Sequence, residues 1–282
     1  MTLREGLEHG EAHLRGGPHP ERARRDAEAL LLHVVRRERA ALLARWKEVL
    51  AKEEAVLYAA LIVRRAAGEP LQYILGETEF YGLTFKVTPD VLIPRPETEH
   101  LVEKVIELAA GYTQPCIVDM GTGSGAISVA LARALPDAQI TAIDVSPSAL
   151  AIAGENARRN AASERIRFLQ GRLLAPVAAE LFDIVVSNPP YVPASERASL
   201  DVEVRDYEPG LALFAGEDGL DVIRHLIPDA FATLAHGGRL ALEFGFGQVQ
   251  AVSTLLRESG FEDIEIVPDL QGIPRVAFGR RP

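Results

Sequence analysis

One cysteine, Cys116, in a chain of 282 residues rules out an internal disulfide and any metal cluster built from cysteines. Long apolar runs are missing as well. No window approaches the roughly 18 consecutive apolar residues of a membrane-spanning helix, so no membrane role is expected. The first residues, Met1 to Gly6, carry Arg4 and Glu5 in place of a secretory apolar core, which argues for a cytoplasmic protein. A basic excess is also absent: 30 Lys and Arg stand against 40 Asp and Glu, a net charge of −10. That is the reverse of the footprint of a protein that holds nucleic acid through its phosphates, and no direct DNA binding is expected. The seven histidines show no ligand spacing, so no metal is expected. Arg22, Arg24, Arg25, Arg36, Arg37 and Arg39 make the N-terminal third locally basic. Solvated helix faces explain them most simply, and a docking surface for an acidic or RNA-bound partner is the sharper reading.

What is present divides by texture. From about Glu21 to Ala67 the chain has no Gly and no Pro and is rich in Ala, Leu, Arg and Glu, which favours helix. Apolar stretches at Ala29 to Val34, at Leu42, Leu43, Trp46 and Leu50, and at Val56 to Val63 predict a small helical bundle. Phe80-Tyr81-Gly82-Leu83-Thr84-Phe85-Lys86-Val87 reads as a strand pair turning at Tyr81 and Gly82. Leu92 to Glu99, stiffened by Pro94 and Pro96, leads into a helix. Strands and helices then alternate, with strands expected at 116–120, 139–145, 166–170, 182–187, 238–244, 263–267 and 275–279. The fold expected is α/β, a doubly wound, mostly parallel seven-stranded sheet. The last two strands are joined by Pro268 to Pro274 without a crossover helix, which requires antiparallel pairing at that edge. The boundaries expected are 1–75 for a helical domain, 76–93 for a hairpin linker and 94–282 for the α/β domain.

Two turns at strand carboxyl ends carry the chemistry, because ligands of such sheets bind there. The first is Asp119-Met120-Gly121-Thr122-Gly123-Ser124-Gly125, followed about twenty residues on by Asp144, a carboxylate suited to ribose hydroxyls. Glycines let backbone approach a ligand where a Cβ would collide. Taken alone this turn leaves adenosyl-methionine and a dinucleotide open. The second turn, Asn188-Pro189-Pro190-Tyr191, shifts the balance to the methyl donor, as do the Gly-x-Gly-x-Gly spacing after Asp119 and the antiparallel edge. A planar amide or amine nitrogen delocalises its lone pair and attacks poorly unless its N–H bonds are held. The Asn188 side-chain carbonyl and the Pro189 carbonyl are two acceptors able to grip one NH2 group. Tyr191 offers a flat wall. A methyltransferase acting on a planar nitrogen is therefore expected, with Asn188 and Pro189 catalytic.

In order, Pro70-Leu71-Gln72-Tyr73-Ile74 with Gly76, Phe80-Tyr81-Gly82, Leu92-Ile93-Pro94-Arg95-Pro96-Glu97-Thr98-Glu99, the glycine turn, Asn188-Pro189-Pro190-Tyr191, Glu208-Pro209, Asp218-Gly219-Leu220 and Asp269-Leu270-Gln271-Gly272 resemble the PrmC/HemK family of protein-glutamine methyltransferases. The resemblance runs nearly the whole chain. It implies a class I adenosyl-methionine-dependent fold and methyl transfer from S-adenosyl-L-methionine, leaving S-adenosyl-L-homocysteine, to the glutamine amide in the Gly-Gly-Gln motif of class I peptide-chain release factors. It implies that Asp119, Gly121, Thr122, Gly123, Ser124, Gly125, Asp144, Leu173 and Asn188 hold the donor, with Leu173 near the adenine. It implies too that Asn188, Pro189, Pro190 and Tyr191 hold the substrate glutamine, and that the helical domain docks the release factor. Arg172 stands where relatives often carry an acidic residue, and is left out of the site. The rival expectations are a glutamine methyltransferase of a ribosomal protein, an adenine-amine DNA methyltransferase and a non-catalytic donor-binding factor.

Overall fold

The computed structural model describes residues 1–269 and 271–282, and all described side chains except that of residue 43. Leu270 of the Asp269 to Gly272 motif, and the Leu43 side chain expected in the second apolar stretch, lie outside the described residues. The chain divides into two compact units, one made of residues 1–76 with 200–207, the other of 77–199 with 208–282.

The first unit holds helices α1 (Leu3–Leu14), α2 (Ala23–Val35), α3 (Arg39–Ala44), α4 (Lys52–Ala66) and α5 (Leu71–Leu75). Its core gathers Leu3, Leu7, Leu30, Leu31, Leu50, Leu61 and Ile62, with Trp46 half-buried at the margin. Helix α1 goes beyond the bundle expected from Glu21 onward. Its start is a capping box, in which Thr2 Oγ1 accepts the Glu5 N–H and Glu5 Oε2 accepts the Thr2 N–H at 2.8 Å. These reciprocal bonds satisfy N–H groups that a helix start leaves free.

The second unit opens with the antiparallel hairpin β1 (Glu77–Phe80) and β2 (Leu83–Lys86). Tyr81 and Gly82 form its two-residue turn with φ of 51° and 67°, the twist that suits a tight hairpin. Next come α6 (Thr98–Ala109), β3 (Cys116–Met120), α7 (Ala126–Ala134), β4 (Gln139–Asp144), α8 (Pro147–Arg159), β5 (Ile166–Gln170) and β6 (Phe182–Ser187), after which α9 (Val202–Tyr207) belongs to the first unit. The unit ends with α10 (Asp221–Thr233), β7 (Leu234–Glu243), α11 (Val249–Glu258), β8 (Glu262–Pro268) and β9 (Pro274–Arg280). Strand order is β5-β4-β3-β6-β7-β9-β8. The first five strands run parallel, and β9 pairs antiparallel with both β7 and β8. This is the doubly wound sheet the alternation predicts. Strand β7 starts four residues earlier than expected, at Leu234.

Both faces of the sheet are covered at its centre, so the inner strands β3, β4 and β6 read as largely apolar runs, while the edge strands β5 and β8 carry exposed polar residues. Ile117, Ile184 and Val186 join one core with α6, α7 and the hairpin residues Phe80 and Phe85; Val118, Val185 and Leu240 join another with α10 and α11. Successive residues of one strand thus serve opposite faces. Among the described residues, no helix is long and apolar enough to cross a membrane.

Candidate active site

Register across the parallel strands sets the site. Leu169, Ile143, Met120, Ser187 and Leu242 lie in one transverse row. One residue further along each strand stand Gln170, Asp144, Gly121, Asn188 and Glu243, at the carboxyl edge of the sheet. Strand order reverses between β3 and β6, and a crevice outside the strand ends is expected at such a reversal. The glycine turn and Asn-Pro-Pro-Tyr leave the sheet on its two sides. Ser187 Oγ donates to the Met120 carbonyl at 2.7 Å and ties the two strand ends together.

The glycine turn needs its glycines for two different reasons. Gly121, Gly123 and Gly125 have φ of 74°, 54° and 81°, a region that disfavours side chains. A Cβ on Gly125 would lie 3.1 Å from that of Ala153, so this glycine permits close approach of α8. A Cβ on Gly121 would meet nothing within 4 Å, and one on Gly123 only the Gly121 carbonyl at 4.0 Å. The backbone at these two residues borders open space. The loop is braced from behind by Asn156 of α8, which is fully buried. Its Nδ2 donates to the Ser124 carbonyl at 2.8 Å and to the Lys86 carbonyl at 3.0 Å, and its Oδ1 accepts the Lys86 N–H.

Asp119 is fully buried beneath the turn, where Oδ2 accepts the hydroxyls of Thr122 at 2.7 Å and Ser128 at 2.6 Å. Burial pushes its carboxyl up to about 6, against these two hydroxyls, which pull it down. Its Oδ1 is buried without a partner. An orphaned acceptor of this kind calls for a donor that the protein does not supply. The Thr122 hydroxyl is spent on Asp119, and the Ser124 side chain is buried, so what the turn can offer a ligand is chiefly main chain. At the end of β4, Asp144 Oδ2 accepts the Gly123 N–H at 2.8 Å and Oδ1 accepts the Ser146 N–H at 2.9 Å. Each oxygen keeps a second lone pair. Beyond β5, Leu173 is half-buried with φ of 50°, while Arg172 is exposed.

Asn188 is half-buried, and its Nδ2 donates to Thr98 Oγ1 at 3.0 Å. Thr98 Oγ1 in turn donates to Glu243 Oε2 at 2.8 Å. Tyr191 Oη lies 3.4 Å from Glu243 Oε1, and burial, then Glu243, pushes the phenol above its ordinary range. Gln248 Nε2 donates to the Tyr191 carbonyl at 3.0 Å while its Oε1 accepts the Gly245 N–H at 2.8 Å. Pro189 is buried and Pro190 half-buried. Neither Asn188 Oδ1 nor the Pro189 carbonyl accepts a hydrogen bond among the described residues. These are the two oxygens that the motif assigns to a substrate amide.

Motifs distant in sequence meet around the site. Glu208 accepts the Ile93 N–H at 3.3 Å and pairs with Arg95, and Glu99 accepts the Tyr81 N–H at 2.8 Å. Glu208-Pro209 and the hairpin turn are thereby fastened to the Ile-Pro-Arg-Pro-Glu-Thr-Glu segment. Thr98, expected only as part of a helix start, joins the candidate site through its hydrogen bonds to Asn188 and Glu243. So does Glu243, whose strand-end position was legible but whose partner was not. Burial pushes the Glu243 carboxyl up to about 7, against hydrogen bonds from Thr98 and Tyr191.

In the first unit the fold gathers one cluster that sequence spacing did not show. His19 Nε2 lies 3.2 Å from Asp201 and 2.9 Å from Glu203. The Arg65 guanidinium contacts the same Glu203 oxygen at 2.6 Å, so a cation would have to displace it. The locally basic residues Arg24, Arg37 and Arg39 pair with Glu11, Glu48 and Glu28 of their own unit, as solvated helix faces do.

The chain is similar to known proteins over both units. Residues 5–76 match the family described as PrmC N-terminal domain, and residues 97–203 match the Methyltransferase small domain. A release factor glutamine methyltransferase of Moorella thermoacetica is 46% identical over 282 residues, covering 100% of this chain and 99% of that protein. One of Koribacter versatilis is 42% identical over 283 residues, with coverage of 100% and 99%. Among solved structures, a T. Thermophilus 16S rRNA methyltransferase (RsmC) in complex with AdoMet and guanosine superposes with a TM-score of 0.55 at 21% identity. That match covers 73% of this chain and 50% of the other, and shows the shared sheet architecture.

Proposed function

The chain belongs to the release factor glutamine methyltransferase family, and from that premise we propose that it methylates the side-chain amide nitrogen of the glutamine in the Gly-Gly-Gln motif of class I peptide-chain release factors. S-adenosyl-L-methionine supplies the methyl group, activated on a sulfonium, and leaves as S-adenosyl-L-homocysteine. The residues present suit that donor. Gly121 and Gly123 border open space, Asp119 Oδ1 lacks a partner, and Asp144 retains free lone pairs at the end of β4. Leu173 and the main chain around Thr122 and Ser124 complete the set of residues we assign to the donor.

The single observation that carries the reading is the pair of uncommitted oxygens on Asn188 and Pro189, level with the glycine turn across the β3–β6 reversal. They grip the two N–H bonds of the glutamine carboxamide and aim its nitrogen. As that nitrogen forms its bond to carbon it becomes positive, and its N–H donors bind these acceptors more strongly. Acceptors aimed at developing charge lower the barrier as an oxyanion hole does, with the sign reversed. Holding the reacting groups in line is worth about 7–11 kcal/mol in favourable intramolecular systems. The methylated amide is acidic enough to release its proton to water, so no side chain is assigned as a base. Pro190 and Tyr191 wall the planar substrate.

The N-terminal unit is assigned to docking of the release factor, so that contacts remote from the glutamine position it, and the setting is cytoplasmic. The test is incubation with labelled methyl donor and, in parallel, a purified class I release factor, ribosomal proteins and DNA, followed by peptide mass mapping. Label on the Gly-Gly-Gln glutamine is expected. Label confined to ribosomal protein or to DNA would overturn the substrate assignment and leave the fold untouched.

A further inference from the structure

An Asn-Pro-Pro-Tyr loop is poorly equipped to hold itself. Two of its four residues lack an N–H and cannot donate main-chain hydrogen bonds, so its side chains must be fixed by neighbouring elements. Asn188 also has two orientations of nearly equal shape, with oxygen and nitrogen exchanged. Only one of them points a carbonyl at a substrate amide.

Two residues outside the motif decide between them. Thr98, the first residue of α6, is 4% exposed, and Glu243, the last of β7, is 2% exposed. The Thr98 hydroxyl has one proton and gives it to Glu243 Oε2 at 2.8 Å. Toward Asn188 it can then only accept, and it takes the Nδ2 proton at 3.0 Å. That leaves Oδ1 as the free end. The same carboxylate approaches the other end of the loop, with Oε1 3.4 Å from Tyr191 Oη.

We propose that Thr98 and Glu243 form a positioning relay that locks the Asn188 carboxamide in the one orientation able to receive the substrate NH2 group. The proposal deepens the functional reading above and rests on it for the role of Asn188. The relay carries charge as well as direction. When Glu243 is ionised its carboxylate polarises the hydroxyl, the hydroxyl polarises the carboxamide, and each bond in such a chain strengthens the next. Asn188 Oδ1 thereby becomes a better acceptor for a nitrogen turning positive. The location of Glu243 is otherwise hard to justify. No cation is within ion-pair distance of it among the described residues; Arg275 attracts it from further off, and Glu97 repels it. An isolated buried carboxyl burdens the fold, and burdens of this kind collect at working sites. Glutamine would cap the strand end equally well.

Full-length Thr98→Val, Thr98→Ser and Glu243→Gln variants test the relay against a purified class I release factor. Calorimetric titration with S-adenosyl-L-homocysteine reports whether each variant keeps its donor site. Thr98→Val preserves shape and removes the hydroxyl, and should lower kcat by roughly 10²-fold, taking one lost preorganised partner as guide. KM and donor affinity should stay near the parent values. Thr98→Ser should restore most of kcat, and Glu243→Gln, which keeps an acceptor but loses the charge, should fall between the two. In 15N-edited NMR the Asn188 side-chain NH2 should be protected from exchange in the parent and in Thr98→Ser, and unprotected in Thr98→Val. The relay is overturned by equal exchange in parent and Thr98→Val, by parental kcat in Thr98→Val, or by Thr98→Ser failing as badly as Thr98→Val. A parent enzyme that leaves the release factor unlabelled refutes the substrate reading instead, and the exchange measurement still decides the relay.

Discussion

In the proposed mechanism Asn188 carries the chemistry and Glu243 carries a cost, and the two are separable by mutation. Asn188→Ala removes one of the two acceptors and should lower kcat by roughly 10²–10³-fold, with donor affinity nearly unchanged in a calorimetric titration. A purified variant turning over at the parental rate would remove Asn188 from the mechanism. Glu243 is predicted to act on stability through its titration. Burial raises its carboxyl from 4.5 to about 7, so the folded protein holds a proton that the unfolded chain has released. Its contribution to stability is fully present below about pH 4.5 and is lost as pH rises through about 7. Asp119, raised from 3.8 to about 6, acts in the same direction. Glu243→Gln removes one of these titrations. At about pH 8 the variant should therefore resist chemical denaturation better than the parent, on the order of 3 kcal/mol at most for a shift of this size, while turning over more slowly. A variant less stable than the parent at that pH would contradict this account of the buried carboxyl.

At the scale of elements, the glycine turn separates what the fold requires from what the ligand requires. Gly125→Ala must place its Cβ 3.1 Å from that of Ala153 at a φ of 81°. Gly123→Ala meets only the Gly121 carbonyl at 4.0 Å and has a φ of 54°, with about 1–2 kcal/mol of backbone strain. The first variant should lose clearly more melting temperature. The second should lose chiefly donor affinity, because its methyl group enters the space assigned to the donor. Equal losses of melting temperature with donor affinity intact in both would contradict that division.

The same scale shows what could be read in advance. Strands β3, β5 and β6 fall where short apolar-rich runs between turn residues placed them; β3 and β6 lie inside the sheet and are mostly buried, while the edge strand β5 keeps Arg167 and Gln170 exposed. Helix α1 went unread although Thr2-x-x-Glu5 is a legible capping box; its glycines at 6 and 10 weaken the propensity signal. Gly10 is there because Tyr58 Oη would stand 2.1 Å from any Cβ, a packing reason that only the folded unit reveals. Thr98 and Glu243 lie 145 residues apart, and no local pattern links them. Only the strand order, with β7 beside β6, sets Glu243 next to Asn188.

Over the whole molecule, the chain confines its reactive geometry to the carboxyl edge of one sheet and carries an acidic surface with a net charge of −10. That charge opposes a nucleic-acid substrate, though the nitrogen-gripping loop by itself would serve an adenine amine as well as a carboxamide. Family membership, matched over the full length at 42–46% identity, supplies the preference for a protein substrate. The central claim is therefore geometric: two oxygens, one from Asn188 and one from Pro189, hold the amide nitrogen of a glutamine opposite the methyl donor. A crystal structure with S-adenosyl-L-homocysteine and a Gly-Gly-Gln peptide measures this most directly. The account predicts the glutamine amide nitrogen within hydrogen-bond distance of both Asn188 Oδ1 and the Pro189 carbonyl. A carboxamide bound elsewhere, or Asn188 presenting its nitrogen to the peptide, would contradict it.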